Sequence, residues 1–193
     1  FIKNNLKTNK MKNRIITIVA LAITIISCNQ KNKQEETVKI ESTTEVVGQS
    51  SFSIDKIVKN YLAIKNSLAT DDSDAAADAG KALSETMAKT GMEKVSSDQM
   101  EAYMSIADDI KEHAEHIGDN AGNIAHQREH FVTLSKDMND LIQLFGTNQK
   151  LYLDFCPMAD NNNGAVWISE TKEITNPYFG KDMATCGSIK KEF

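Results

Sequence analysis

Two short segments near the end of the chain each place a methionine beside a cysteine. One reads CPM at 156–158 and the other reads MATC at 183–186. Thiolate and thioether sulfur are soft ligands that favour monovalent copper, whereas zinc sites draw on cysteine, histidine and carboxylate. The pattern therefore predicts a soft-metal site with the ligands Cys156, Met158, Met183 and Cys186.

Two other interpretations of these cysteines stay open. In an exported protein, two cysteines are first expected to form a disulfide because the compartment is oxidising. Plain packing is the third interpretation. The methionines favour the metal site, since Met158 and Met183 lie in irregular segments. The other methionines of the domain lie in or beside predicted helical stripes: Met87, Met92, Met100, Met104 and Met138.

The chain has four histidines, and all of them lie around one predicted corner. His113 and His116 fall in the last turns of the third predicted helix, and His126 and His130 fall in the first turns of the fourth. None lies on the apolar stripe of its helix, and the i, i+4 pair His126 and His130 projects together. Most surface histidine pairs bind nothing. If the C-terminal segment packs on this corner, we expect His126 or His130 to complete the Cys/Met ligand set.

Four segments carry apolar residues at helical spacing. They run from about residue 53 to 68, from 71 to 91, from 96 to 118 and from 123 to 146. Acidic or hydroxyl-bearing cap residues precede the second and third segments, and glycines follow them. Because the connections are short, neighbouring helices must run antiparallel. The predicted fold is mainly α, an antiparallel four-helix bundle.

The C-terminal segment has strand spacing instead. Apolar and polar residues alternate over 151–156, Asn163-Gly164 is a turn signal, and 165–168 is a short apolar run that can return antiparallel. A small hairpin is not stable alone in water. It is therefore expected to pack on the helices, which brings Cys156 to the bundle surface.

The N-terminal part reads as a leader. From Met11 the chain reads MKNRIITIVALAITIISC, in which two basic residues precede an apolar run too short to span a bilayer. This predicts a secretory signal peptide at 11–27. Its end, IISC, resembles the lipobox of bacterial lipoproteins, so Cys28 is the predicted lipid attachment site; the alternative is a plain signal peptide with a chance cysteine. Residues 1–10 are interpreted as upstream translation.

Amino-acid composition distinguishes a tether from the folded domain in the chain after Ser27. Residues 28–50 are polar and lack a sustained period, which predicts a flexible tether, and 51–193 form the predicted folded domain. Residues 1–27 hold five of the 22 basic residues and no acid, which leaves 17 basic against 27 acidic residues in the exported chain. That charge opposes nucleic-acid binding and suits cations.

The chain lacks the common catalytic motifs. It has no Gly-x-Ser-x-Gly, no phosphate-binding loop, no His-Glu-x-x-His and no Cys-x-x-Cys. The run DNNNG at 160–164 resembles the start of a calcium loop but lacks the distal glutamate, and it is interpreted as the hairpin turn. No enzymatic activity is predicted, and a thiol oxidoreductase is disfavoured.

Four motifs together resemble a known family: HQREHFxxLS at 126–135, YxxFCPMA at 152–159, GAxWIS at 164–169 and IxNPYFGxxMxxCG at 174–187. They are similar to bacterial exported domains of unknown function, which also occur fused to periplasmic adaptor subunits of copper and silver efflux systems. The resemblance covers about residues 52–190. It implies a copper-handling envelope domain whose probable ligands are Cys156, Met158, Met183 and Cys186, while His126 and His130 match less fixed positions.

The sequence thus predicts a non-enzymatic lipoprotein of the cell envelope, facing the periplasm or the outer-membrane surface. It is expected to bind copper(I) and either to buffer it or to hand it to an efflux adaptor protein. Its contact with the membrane is through the lipid alone. The alternative is an interaction module without metal, in which a Cys156–Cys186 disulfide links the hairpin to the loop that follows.

Overall fold

The structure, a computed structural model, describes residues 52–193. The predicted leader at 11–27, the lipid attachment site Cys28, the tether at 28–50 and residues 1–10 lie outside the described residues. Between residues 52 and 193, no helix is both long enough and apolar enough to cross a membrane.

Four long helices form the body of this region. They are α1 (Asp55–Ala69), α2 (Ser73–Lys89), α3 (Met100–Asp119) and α4 (Ile124–Phe145). Helices adjacent in sequence pack against each other, and their apolar faces form one core. The predicted mainly helical fold, a helical bundle with a small C-terminal β segment, is confirmed.

Local capping explains where two of the helices begin. The Asp72 carboxylate accepts a hydrogen bond from the Ala75 amide at 2.9 Å, at the start of α2. The Asn123 side chain accepts one from the His126 amide at 3.4 Å, at the start of α4. Such caps satisfy amide groups that have no partner within the helix. The second of them fixes the first turn of α4, where two of the histidines lie.

Helix α3 begins later than the sequence predicted. The expected cap lies at 96–98, but the helix begins at Met100, and Gln99 at the N-cap position makes no capping bond with its side chain. The side-chain Nε2 of Gln99 instead donates to the Leu144 carbonyl at 3.0 Å, near the end of α4. A tertiary contact between helix ends has therefore replaced the local cap.

Three antiparallel strands follow the helices: β1 (Tyr152–Cys156), β2 (Ala165–Ser169) and β3 (Ser188–Glu192). Their order in the sheet is β2-β1-β3, so β1 is central. The sequence predicted only the β1–β2 hairpin; β3, with all five residues exposed, was missed. The hairpin connection is also longer than a two-residue turn, because residues 157–164 form an irregular loop in which Asp160, Asn161 and Asn162 have positive φ.

The sheet packs on the bundle through hydrogen-bonded aromatic residues. The Tyr61 hydroxyl of α1 lies 2.8 Å from the Ser135 hydroxyl of α4 and accepts a bond from the Ile168 amide of β2 at 3.0 Å. The Tyr61 ring stacks on Phe131 at 5.2 Å between centroids. One buried hydroxyl therefore joins two helices to the sheet.

A second connection holds the loop between β2 and β3. Arg128 of α4 donates to the Pro177 carbonyl at 2.8 Å, to the Leu68 carbonyl at 2.9 Å and to the Asp71 carboxylate at 2.6 Å. The pKa of Asp71 is held below its usual value, chiefly by its bond from Arg128. The corner between α1 and α2, the start of α4 and the C-terminal loop are thus fixed to one another.

The Tyr61 hydroxyl gives the first prediction. Tyr61→Phe keeps the ring but leaves the buried Ile168 amide and Ser135 hydroxyl without this partner, so we expect a loss of about 1–3 kcal/mol in the free energy of unfolding. Urea denaturation would measure it. Tyr103→Phe is the matched control, because Tyr103 is equally buried but packs on Phe52 and Phe145. Equal effects of the two substitutions would contradict the assigned role.

The buried carboxyl of Asp154 gives a second prediction. Asp154 is fully buried in β1, and neither of its oxygens has a hydrogen-bond partner within 52–193. Burial raises its pKa to about 6, opposed by the charge of Lys65. Because the folded state then holds this proton more tightly than the unfolded state, its contribution to stability is complete below about pH 4 and is lost as the pH rises through 6.

The test compares the pH dependence of unfolding in the wild type and Asp154→Asn. Between pH 4 and pH 7 the wild type should lose roughly 1–3 kcal/mol relative to the variant. Asp182→Asn, which replaces an exposed aspartate, is the control. If the profiles of Asp154→Asn and the wild type run parallel over this range, the pKa assigned to Asp154 is wrong.

Candidate functional site

The fold brings the two predicted cysteines together. Cys156 is the last residue of β1, and Cys186 lies two residues before β3. Since Phe155 pairs with Ser188 in the β1–β3 ladder, the two cysteines are adjacent across the strands. Their Sγ atoms are 3.0 Å apart, and both are free thiols. The strand that the sequence missed is therefore the element that places Cys186 at Cys156.

The surroundings of Cys156 favour its thiolate. Burial raises the pKa of this thiol, but hydrogen bonds from the Cys186 thiol, the Met158 and Ala159 amides and the Asn176 side chain outweigh burial, and the pKa is lowered. The pKa of Cys186 is raised, mainly because it donates to Cys156. Cys156 is thus the first thiol to lose its proton, as a metal ligand or a nucleophile must.

The loop that carries Cys186 is shaped by Asn176. This buried side chain donates to the Cys186 carbonyl at 2.6 Å and accepts bonds from the Tyr178 and Phe179 amides at 2.8 and 3.1 Å. Gly180 then turns the chain with a φ of +55°. Asn176 and Gly180 of the NPYFG segment therefore shape this loop.

The predicted methionine ligands accompany the cysteines in sequence and differ in exposure. Met158 is 46% exposed. Met183, half-buried, lies one turn before Cys186, whose amide donates to the Met183 carbonyl at 3.0 Å. Two of the methionines assigned to helical stripes, Met92 and Met104, are themselves 48% exposed. The expected core position of Met104 is therefore wrong, whereas Met87 and Met138 are buried as expected. Met158 and Met183 are distinguished from the exposed Met92 and Met104 by having a cysteine two or three residues away.

The sulfur separation lies between two chemical outcomes. Two thiolates at ~2.3 Å from one tetrahedral ion are about 3.8 Å apart, whereas a disulfide needs about 2.05 Å. At 3.0 Å, the Cys156 and Cys186 sulfurs are within about 1 Å of either. Small side-chain rotations are sufficient for both outcomes.

The four histidines form a second group, at the corner that the sequence predicted. One ring nitrogen from each of His116, His126 and His130 lies within 4.8 Å of the others. His113 Nδ1 is 3.0 Å from His130 Nδ1. His126 and His130 project together as expected, with ring centroids 4.6 Å apart. The sequence placed all four histidines at this corner but proposed only His126 and His130 as ligands.

This histidine cluster faces α3, whereas the sheet packs on α1 and α4. Arg128, which contacts the C-terminal loop, lies about 200° around the helix from His126, on the far side of α4. Within 52–193, the ring contacts of the histidines are with one another and with glutamates. The histidine cluster and the cysteine pair are therefore two separate groups.

Burial and crowding keep His130 neutral. Burial, together with the charges of the three other histidines and against the opposing charge of Glu129, lowers the pKa of His130 to about 4. Burial also lowers the pKa of His113. Near neutral pH, His130 therefore presents an unprotonated imidazole, the form in which histidine ligates metals.

A comparison with known protein families gives a match over the helical part of the chain. A protein-family model described as "Protein of unknown function (DUF3347)" matches residues 57–150. That range spans most of the four helices and includes every histidine, and it ends before β1. The chain therefore contains an uncharacterised domain of unknown function, while the tail motifs and the association with efflux adaptors stay predictions. Neither curated proteins nor solved structures gave a significant match.

The close thiols give a third prediction. In the chain from residue 28 onward with Cys28→Ser, mild oxidation should remove both free thiols without forming dimers. The closed loop of about 30 residues should stabilise the protein by about 3–4 kcal/mol, since it restricts the unfolded chain. Thiol titration, intact mass and urea denaturation measure this. Cys186→Ser, with a single thiol left, should show no such gain; dimers as the main oxidised product would contradict the geometry.

Proposed function

We propose that this protein is a non-enzymatic lipoprotein of the cell envelope that binds copper(I) through Cys156 and Cys186. Met183 and Met158 supply thioether ligands. The observation that carries the proposal is the approach of the two cysteine sulfurs to 3.0 Å, in a site where Cys156 loses its proton readily. Two thiolates with neighbouring thioethers are a donor set that prefers monovalent copper.

The surroundings of the sulfur pair suit transfer of an ion. Cys156 is buried, whereas Met158 is 46% exposed and Cys186 is partly exposed. A buried thiolate holds the ion, and an exposed thioether gives an incoming ligand access to it. This arrangement supports buffering of copper or delivery to an efflux adaptor, with Cys28 anchoring the chain to the membrane.

His126 and His130 are left out of the proposed copper(I) site. Their rings pack against the histidines of α3. Imidazole is also a harder ligand than thiolate or thioether and is less selective for monovalent copper. The predicted involvement of His126 or His130 required the C-terminal segment to pack on the histidine corner, and the contacts favour two separate groups.

A second candidate function is an interaction module in which a Cys156–Cys186 disulfide fixes β1 to the loop before β3. It is favoured by the same 3.0 Å separation, which is shorter than the roughly 3.8 Å expected for two ligands of one tetrahedral ion. The two candidates differ in the thiol state of the protein isolated from the envelope. Free thiols favour copper(I) binding, and a complete disulfide favours the module.

The fourth prediction tests the ligands. With the reduced chain from residue 28 carrying Cys28→Ser, an anaerobic copper(I) titration against a competing chelator should show one ion bound. Cys156→Ser should weaken binding by more than the ~10–100-fold that loss of a supporting group costs. Met183→Leu should weaken it less, because the thiolates remain.

Met92→Leu is the control, since it makes the same chemical change at an exposed methionine that has no cysteine beside it. It should leave the copper affinity unchanged. If Cys156→Ser combined with Met183→Leu also leaves the affinity unchanged, the ligand assignment is wrong.

A further inference from the structure

The histidine cluster holds its rings in a defined arrangement. The rings of His116 and His130 stack at 4.2 Å with an interplanar angle of 5°. His126 stands at 80° to His130, with its centroid 4.6 Å away. Three imidazoles from two helices thus converge on one surface point, with one ligand nitrogen from each within 4.8 Å of the others.

We propose that His116, His126 and His130 form a second metal site, which takes a divalent first-row cation such as Zn²⁺. It is distinct from the sulfur pair and does not depend on the copper(I) proposal. Three protein ligands with an open fourth position form an established tetrahedral zinc set, and imidazole also suits divalent copper and nickel.

Two neighbouring side chains leave the correct nitrogen of the ligands available. His130 Nδ1 is hydrogen-bonded to His113 Nδ1 at 3.0 Å, and His126 Nδ1 is hydrogen-bonded to Glu129 Oε2 at 3.1 Å. Because the Glu129 carboxylate accepts, His126 Nδ1 carries the proton and the lone pair of that ring lies on Nε2. His130 presents Nε2 in the same way when its Nδ1 donates to His113 Nδ1. Ligating histidines usually have such a partner on the other nitrogen, which fixes the tautomer and the ring orientation. His113 and Glu129 are therefore positioning residues.

The backbone beneath the cluster is fixed by Gln127. This fully buried side chain donates to the Ile117 carbonyl of α3 at 3.1 Å and to the Ser73 carbonyl of α2 at 2.9 Å. The Ser73 hydroxyl donates back to Gln127 Oε1 at 2.8 Å. Because Gln127 follows His126 directly, the start of α4 is locked against the end of α3. Metal binding then requires rotation of side chains alone.

The required movement is small. Nitrogen ligands at ~2.0–2.1 Å from one tetrahedral ion are about 3.3–3.4 Å apart. The present spread of up to 4.8 Å must therefore contract by about 1.5 Å, which ring rotation on half-exposed side chains can supply. Glu112 and Glu129 beside the cluster add negative charge that favours a dication.

The fifth prediction uses Co²⁺ and Zn²⁺ as probes on the chain from residue 28 without thiols, with Cys28→Ser, Cys156→Ser and Cys186→Ser. We expect one Co²⁺ to bind with the intense visible absorption of tetrahedral coordination, and one equivalent of Zn²⁺ to displace it. This triple variant has no cysteine. Its Co²⁺ absorption therefore does not depend on whether the copper(I) proposal is correct.

Variants then assign the roles. His116→Ala, at an exposed position, should abolish stoichiometric binding, as should His126→Ala or His130→Ala. His113→Ala and Glu129→Gln should weaken Zn²⁺ binding by about 10–100-fold while keeping the tetrahedral spectrum, because they orient ligands without contacting the ion. Glu85→Gln, which removes an equal charge from an exposed site on α2, should change nothing. Circular dichroism confirms that each variant is folded.

Unchanged Zn²⁺ affinity in His116→Ala combined with His126→Ala would overturn the proposal. A weak octahedral Co²⁺ spectrum in the parent protein, insensitive to these substitutions, would overturn it equally, because it would place the ion elsewhere.

Discussion

The arrangement of the C-terminal segment depends on the hydrogen bonds of the buried Tyr61 hydroxyl. A small three-stranded sheet needs an apolar surface to pack on. Its contact with the bundle also buries the Ile168 amide, which needs a hydrogen-bond acceptor. Tyr61 meets both needs, since its ring packs on Phe131 while its hydroxyl bonds Ser135 and the Ile168 amide. The sheet therefore has one register on the helices, and the position of Cys156 at the end of β1 follows from it.

Helix α4 serves both candidate sites from opposite faces. Arg128 binds the loop that leads to Cys186, while His126 and His130 face α3. Because the helix rotates by about 200° between His126 and Arg128, side chains of a single turn reach different parts of the protein without sharing ligands. One rigid helix thus positions a soft sulfur pair through its loop contact and a set of imidazoles directly.

The sequence predicted what local interactions determine. Helical spacing and the cap at Asp72 are encoded within a few residues, and the histidine corner depends on one short connection between two helices. Strand β3 has no apolar alternation, and its pairing with β1 spans more than thirty residues, so no local signal marked it. The approach of Cys186 to Cys156 was accordingly a hypothesis until the sheet was seen. The participation of His113 and His116 had a signal, namely their i, i+3 spacing opposite the pair on α4.

Strand β3 also bears on how copies of this protein meet. It is an outer strand, with all five residues exposed and with Lys190 and Lys191 among them. Charged side chains on such an edge oppose the pairing of one sheet with another, which is a common route to aggregation. Two copies approaching along this edge would bring four ammonium groups together. The strand that places Cys186 beside Cys156 therefore also opposes self-association at high local concentration.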